Sequence, residues 1–461
     1  MRAGVTRREI FVLALLLFAA AWFRFRLVAS WHAPAGDGTE YYNLSQELRQ
    51  HDRYAHGLSQ PLTFVRLPGY PMFLSYVAVR KAPIPMEEHV VQATRWNVLL
   101  DLGTALVIFF LLRERRVGTV ASYLGLVAVL VCPIIMILCC YALTESLNTF
   151  LLTLTFALAV RATRSRYFLY AALAGATAAM AQLVRTTSVV VLVPVVWALL
   201  SADVPWKKRA QAVFLCGVTA WMVFLPWPLR NYIQFGNPYP LGTEWMTLQG
   251  DPLPPGLPRW TRTWASGAPG ESYVNLMVVL HRTLDARPGT LPPVMYDDEA
   301  EKQKILAIYE RYNREYFSPA VDRAFDELAS ERTKRHPFRT LVKLPLQRIV
   351  SLWTPIPEYE LGMRTRLLDL PAKRRWFVYW RILLSAFALV GAVVLSRRDR
   401  LLLTLCLTPI GLTSVMIAYL HAFPVERYLA PVMPLMMALT GVGAAAIFGR
   451  KWPVFNSTGQ S

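Results

Sequence analysis

Uninterrupted apolar runs of roughly 18–22 residues dictate what this chain can become. A helix of that length rises about 30 Å, the thickness of a bilayer's hydrocarbon core. No water reaches backbone groups there, so each N–H and C=O must bond within its own segment, as helix allows. Only 17% of the 461 residues are charged and 54% are hydrophobic, so the runs read as transmembrane spans rather than the core of a soluble domain. Spans are expected near 9–29, 90–112, 118–138, 146–161, 167–184, 187–201, 210–228, 376–396, 401–420 and 428–448. The first follows Arg7-Arg8 as a signal peptide would. Its length, its Trp22-Phe23-Arg24 ending and the spans behind it mark an uncleaved first span.

Orientation follows from the junctions. Arg7-Arg8, Arg113 with Arg115-Arg116, Arg161 with Arg164 and Arg166, Lys207-Lys208-Arg209, Arg397-Arg398 with Arg400, and Arg450-Lys451 fall at alternate junctions. Short basic junctions face the cytoplasm, which puts both termini inside and the chain in an inner, or plasma, membrane. The same rule absorbs much of the net charge of +19, so nucleic acid is not implied. The fold class is an all-α polytopic membrane protein. A bundle of about ten helices carries two long extracytoplasmic loops with amphipathic interfacial helices. Three regions follow: an N-terminal membrane module over 1–228 that includes the first outer loop 30–89, an outer subdomain over 229–375, and C-terminal helices and tail over 376–461. All five cysteines lie in or beside apolar runs without ligand spacing and read as small buried residues.

The first outer loop opens with Pro34 and Gly36, then Asp37-Gly-Thr-Glu40-Tyr41-Tyr42. Tyr41, Leu44, Ser45 and Leu48 recur at helical spacing, as for an amphipathic helix on the membrane surface. Spacing alone makes Asp37 and Glu40 carboxylates that cap and charge that helix's N-terminus. Arg66-Leu-Pro68-Gly69-Tyr70-Pro71 follows, and Arg66 could simply snorkel to the interface. The second loop opens Pro226-Trp227-Pro228-Leu229-Arg230-Asn231-Tyr232. It continues through Pro, Gly and Trp to about Pro293, then a polar helix over 297–333 and a basic amphipathic helix over 337–353.

These outer motifs, with Thr144-Glu145-Ser146, Leu183-Val184-Arg185-Thr186-Thr187 and Arg427-Tyr428-Leu-Ala-Pro431, run in family order along residues 37–431. In that order the chain resembles the GT-C glycosyltransferases that use polyprenyl-phosphate sugars, in the branch of protein O-mannosyltransferases and lipid A aminoarabinose transferases. One departure is visible: many relatives have two adjacent acids in the first motif, whereas Gly38 follows Asp37 here.

The resemblance implies transfer of a hexose or pentose from a polyprenyl-phosphate donor to an acceptor hydroxyl on a glycan, lipid or protein at the outer membrane face. Such chemistry needs a base near the acceptor and cations on the leaving phosphate. It assigns Asp37 as base, with Glu40 and Glu145 as supporting carboxylates. Arg66, Arg230, Arg427 and Arg185 are assigned to the donor phosphate, since guanidinium forks suit phosphate oxygens. Tyr41, Tyr42, Tyr70 and Asn231, within the same motifs, are substrate-binding candidates. Each arginine could instead contact lipid headgroups or a loop carboxylate, and Glu145 could be a carboxylate at a helix N-terminus. His32, His51 and His56 share the first loop with Asp37, which leaves room for a divalent cation, but no two have ligand spacing and no metal ligand is assigned. No phosphate-cradling loop and no dinucleotide fingerprint occurs. A carrier or flippase of lipid-linked sugars, or an outward-facing oligosaccharide polymerase, stands as the alternative. The carrier requires charges deep within spans, and Asp101 is the one exception noted to a pattern of charges at span ends.

Overall fold

The computed structural model describes residues 6–30, 32, 36–78, 84–164, 167–240, 255–268, 271–279, 282–287, 289–354, 371–423 and 426–448. Among them the only β pairing is an isolated bridge between Ala55 and Leu62. The first half runs α1 (Arg7–Ser30), α2 (Gly36–His51), α3 (Gly69–Val77), α4 (Met86–Glu114), α5 (Thr119–Leu130), α6 (Pro133–Leu138), α7 (Glu145–Ala162) and α8 (Tyr167–Val184). A 3-10 turn (Thr186–Val191) then leads to α9 (Leu192–Leu200), α10 (Trp206–Phe224) and α11 (Pro226–Phe235).

Of the ten expected spans, six correspond to described helices long and apolar enough to cross a membrane: Arg7–Ser30, Met86–Glu114, Tyr167–Val184, Val378–Arg398, Arg400–Leu420 and Arg427–Phe448. A seventh, α10 with α11, is bent by 40°. The other three are shorter or more polar. The 118–138 run divides before Pro133, whose ring and missing N–H break the ladder. The 187–201 run begins as 3-10 helix. In α7, Asn148, Thr149, Thr153 and Thr155 lower the hydropathy, yet all four are buried against protein rather than lipid.

Exposure tells which helices meet lipid. Only Arg24 and Val28 of α1 are buried, while Phe11 and Phe18 are about 70% exposed, a surface that fits hydrocarbon and not water. At the centre lies α19 (Met433–Phe448), packed against α17 (Pro371–Arg398). A Cβ at Gly391 or Gly443 would strike the other helix's carbonyls, so the bare backbones set this spacing.

The two ends of the bundle differ. At one, Arg115 grips Asp399 at 2.8 and 2.6 Å, Arg161 reaches Glu114 at 2.6 Å and Arg113 reaches Glu9 at 3.4 Å. The 29-residue α4 carries the chain roughly 43 Å from there to its start, where Tyr42 donates to the Ile84 carbonyl at 2.7 Å. Here α2 does not lie loose on a membrane. Leu44 and Tyr41 are buried in protein, with Leu44 beside Tyr54, Phe64, Leu67 and Trp227.

The segment after α11 has its own core, built on Trp260, Trp264, Tyr309, Tyr312 and Phe325. It comprises α12 (Gly256–Thr261), α13 (Tyr273–Val279), α14 (Glu299–Glu315), α15 (Pro319–Arg335) and α16 (Leu344–Trp353). The single polar helix expected over 297–333 is a hairpin of two. Tyr316 sits at φ 61°, the Ser318 hydroxyl accepts from Val321 N at 3.2 Å, and Pro319 opens α15. On α16 and the turn before it, Phe338, Leu346 and Val350 are exposed and Leu344, Arg348 and Leu352 buried, as an interfacial helix requires. Arg348 ties this helix to the bundle, donating to the carbonyls of Ala265 at 2.9 Å and Ala418 at 3.0 Å. Beyond it, α18 (Arg400–Leu420) and the 3-10 stretch Glu426–Val432 return the chain to the same end of the bundle.

Candidate active site

Five separate segments deliver charged side chains to one place, at the end of the bundle where α4 starts. Asp37 and Glu40 stand one turn apart at the start of α2. Arg66 comes from the loop 53–68, which is fixed by the Tyr54 hydroxyl donating to the carbonyls of Arg66 (3.1 Å) and Leu67 (3.0 Å). That loop ends at Gly69, where a Cβ would come within 2.7 Å of the Leu183 carbonyl. Glycine therefore lets the Arg66 loop close on the end of α8, directly before Arg185. Glu145 opens α7, and Arg427 lies in the 3-10 stretch.

The contacts form a chain. Arg66 holds Glu40 through Nε (2.5 Å) and Nη2 (3.0 Å) and reaches Asp37 Oδ1 at 3.3 Å. Arg427 Nη2 donates to the other oxygen of Asp37 at 3.2 Å, and its Nε lies 3.8 Å from Glu145. Arg185 donates to Glu145 at 2.7 Å and to the Thr144 hydroxyl at 3.2 Å. Tyr428 lies under both Arg185 (5.3 Å) and Arg427 (5.6 Å), and Tyr41 under Arg66 (5.9 Å).

Burial works to raise the Asp37 carboxyl, but Arg66, Arg427 and Arg185 outweigh it and hold it below the ordinary aspartate range. Burial pushes the Tyr41 phenol up to about 12, so it stays protonated. His421 was not singled out from the sequence. It packs on Tyr428 at 4.7 Å, and burial with Arg185, Arg262 and Arg427 lowers it to about 4. It is neutral at neutral pH, and its place in the short outer junction was the only signal for it.

Asp37, Glu40, Arg66, Arg185, Arg427, Glu145 and Tyr41 thus converge. Tyr70 backs them, edge-on to Tyr41 at 5.1 Å. Three expected residues do not join. Arg230 donates to the Thr63 carbonyl (2.9 Å) and Asn231 (3.0 Å) and lies over Trp227, Phe235 and Tyr54. It lines a separate cavity of about 330 Å³ with Asp52, Tyr54 and Gln234. Asn231 is buried and donates to the Tyr239 carbonyl at 2.8 Å. Tyr42 turns towards Ile84 and His89. The 226–232 motif puts both of its polar residues to work holding the loop, which its position at a span end could not reveal. Among the described residues, no three His, Cys, Asp or Glu side chains gather as metal ligands.

No known family matches the sequence, and no curated protein does. Solved structures do match. The archaeal oligosaccharyltransferase AglB from Archaeoglobus fulgidus, in complex with an inhibitory peptide and a dolichol-phosphate, aligns over 97% of this chain and 53% of its own, at TM-score 0.52 and 14% identity. The fold is that of the GT-C glycosyltransferases. ArnT from Cupriavidus metallidurans bound to undecaprenyl phosphate aligns over 94% of this chain and 78% of its own, at 15% identity and TM-score 0.41. The chain spans about half the length of the oligosaccharyltransferase it matches. Within this GT-C fold the carboxylate–arginine chain stands at the end opposite the short basic junctions.

Proposed function

We propose that this protein is an integral-membrane glycosyltransferase that moves a sugar, a hexose or pentose, from a polyprenyl-phosphate donor to an acceptor hydroxyl. The acceptor is a glycan, a lipid or a protein. The reaction takes place at the outer face of an inner membrane, with both termini cytoplasmic and residues 229–375 forming an outer subdomain beside the site. The observation that carries this reading is the meeting of Asp37 with Arg66 and Arg427 on a GT-C fold. As the acceptor oxygen bonds to the anomeric carbon, Asp37 takes its proton, and the bond from that carbon to the phosphate oxygen breaks. Charge grows on the leaving phosphate, and Arg66, Arg185 and Arg427 stand ready to meet it. Glu145 orients the two arginines beside it, and Glu40 orients Arg66.

One observation favours a carrier of lipid-linked sugars instead: a buried Arg24–Asp101 pair inside the spans. Transfer of radiolabelled sugar from a polyprenyl-phosphate donor by the purified protein separates the two. A new glycosidic bond that forms with wild type and is lost with Asp37→Asn supports the transferase. Label that crosses a bilayer without bond formation supports the carrier.

A further inference from the structure

The arginine chain is already neutralised. Among the described residues at the site, Arg66, Arg185 and Arg427 face Asp37, Glu40 and Glu145, three charges of each sign. A phosphodiester entering such a cluster gains little unless a carboxylate gives way, because like charges repel at the distances involved. The geometry says which carboxylate yields. Glu145 is 2% exposed and bound at 2.7 Å, so releasing it leaves a buried charge unpaired. Glu40 is clamped by two donors of one guanidinium, at 2.5 and 3.0 Å. Asp37 has the weakest hold, a single contact of 3.2–3.3 Å on each oxygen, and its side chain is 36% exposed.

We infer that an incoming polyprenyl phosphate takes Arg66 and Arg427 from Asp37, and that this exchange is what frees Asp37 to act as the base. The donor therefore binds before the acceptor can react. This rests on the reading under Proposed function, and it adds an order of events and a switch to it. Before exchange, Arg66, Arg427 and Arg185 hold the carboxylate ionised and weakly basic. The other titratable groups facing it are Glu40 and Tyr41 on its own helix and Glu145 on α7. After exchange, burial and the neighbouring phosphate both favour the protonated form, and the carboxylate becomes the better base. A donor-free site keeps its base occupied.

The test is a binding titration of the full chain in lipid nanodiscs, with a short-chain polyprenyl phosphate lacking sugar as probe. Asp37→Asn removes the competitor for Arg66 and Arg427, so the probe should bind on the order of tenfold tighter although transfer is lost. Glu40→Gln removes the same charge from the same arginine but releases the clamp on Arg66, so it should not tighten binding. Equal tightening by both is a plain field effect and overturns the exchange, as does no tightening by Asp37→Asn. In either case weaker binding by Arg66→Ala leaves the transferase reading intact. If wild type and Arg66→Ala both ignore the probe, that reading itself fails. Should Asp37→Asn not fold, calorimetry of wild type in two buffers of different ionisation enthalpy decides, with a short-chain polyprenyl methyl phosphodiester as probe because it has no second proton to lose. Exchange requires proton uptake on probe binding at mildly acidic pH, and its absence overturns the proposal.

Discussion

Arg24 and Asp101 face each other at 3.8 Å between α1 and α4, each about 1% exposed within long apolar helices. The guanidinium also donates to the Leu130 carbonyl at 2.8 Å, where α5 stops short of Pro133 and leaves its last carbonyls without helical partners. One arginine thus closes a helix end in lipid and balances a buried acid. Arg24→Leu should destabilise the protein by about 3–5 kcal/mol, because it strands both groups. Arg24→Leu with Asp101→Leu should recover much of that loss, since only the carbonyl remains unmet. Denaturant unfolding in detergent, for each single variant and the pair, measures the difference.

Arg66 and Arg230 were equivalent as sequence and are not equivalent in space. Arg66 touches Asp37 and Glu40, whereas Arg230 is spent on the Thr63 carbonyl and three aromatic rings. Arg66→Ala should lower transfer at least about a hundredfold, the size of losing one charge-stabilising donor. Arg230→Ala should leave the donor KM within about threefold and cost about 1–2 kcal/mol of stability through the lost stack. Steady-state kinetics with thermal melts of both variants would expose the error if Arg230 proved the more important for the donor.

The same contrast marks how far the residues can be read without coordinates. Apolar run length and basic junctions carry the helical bundle and its two unlike ends, because lipid leaves the backbone few choices. Asp37, Glu40, Arg66, Arg185, Arg427 and Glu145 were legible as members of ordered motifs. Their partners were not, since contacts such as Asp37 to Arg427 join segments nearly the whole chain apart. The hairpin at Ser318-Pro319 carried a local signal, a capping hydroxyl before proline, hidden within a run of helix-forming residues. The burial of α2 gave none: amphipathic spacing is the same whether the apolar face meets lipid or Trp227 and Tyr54.

Glu145 serves two arginines from the first turn of α7, and its own charge is nearly fully buried. Glu145→Gln keeps the shape and removes the charge that holds them. Arg185 and Arg427 should then drift, raising the donor KM more than it lowers kcat, because in the proposed mechanism the acceptor proton still goes to Asp37. A fall in kcat alone, with unchanged donor KM, would instead make Glu145 part of the proton transfer. The split is read from initial rates over a donor series.

In the proposed mechanism the pH dependence of transfer follows from Asp37. Its folded-state carboxyl sits below the ordinary aspartate value because the opposing arginines outweigh burial. A carboxyl lowered on folding contributes stability that is present above its unfolded pKa and fades as pH falls through the folded one. The base form likewise persists to lower pH than a free aspartate would allow. The acidic limb of kcat/KM, which reports the free enzyme, should therefore lie below the ordinary aspartate range. Arg427→Ala removes one opposing charge and leaves burial in place, so that limb should move up, towards neutral pH. A pH–rate profile of wild type beside Arg427→Ala checks the direction. A limb that stays fixed, or moves down, means the titrating base is not Asp37.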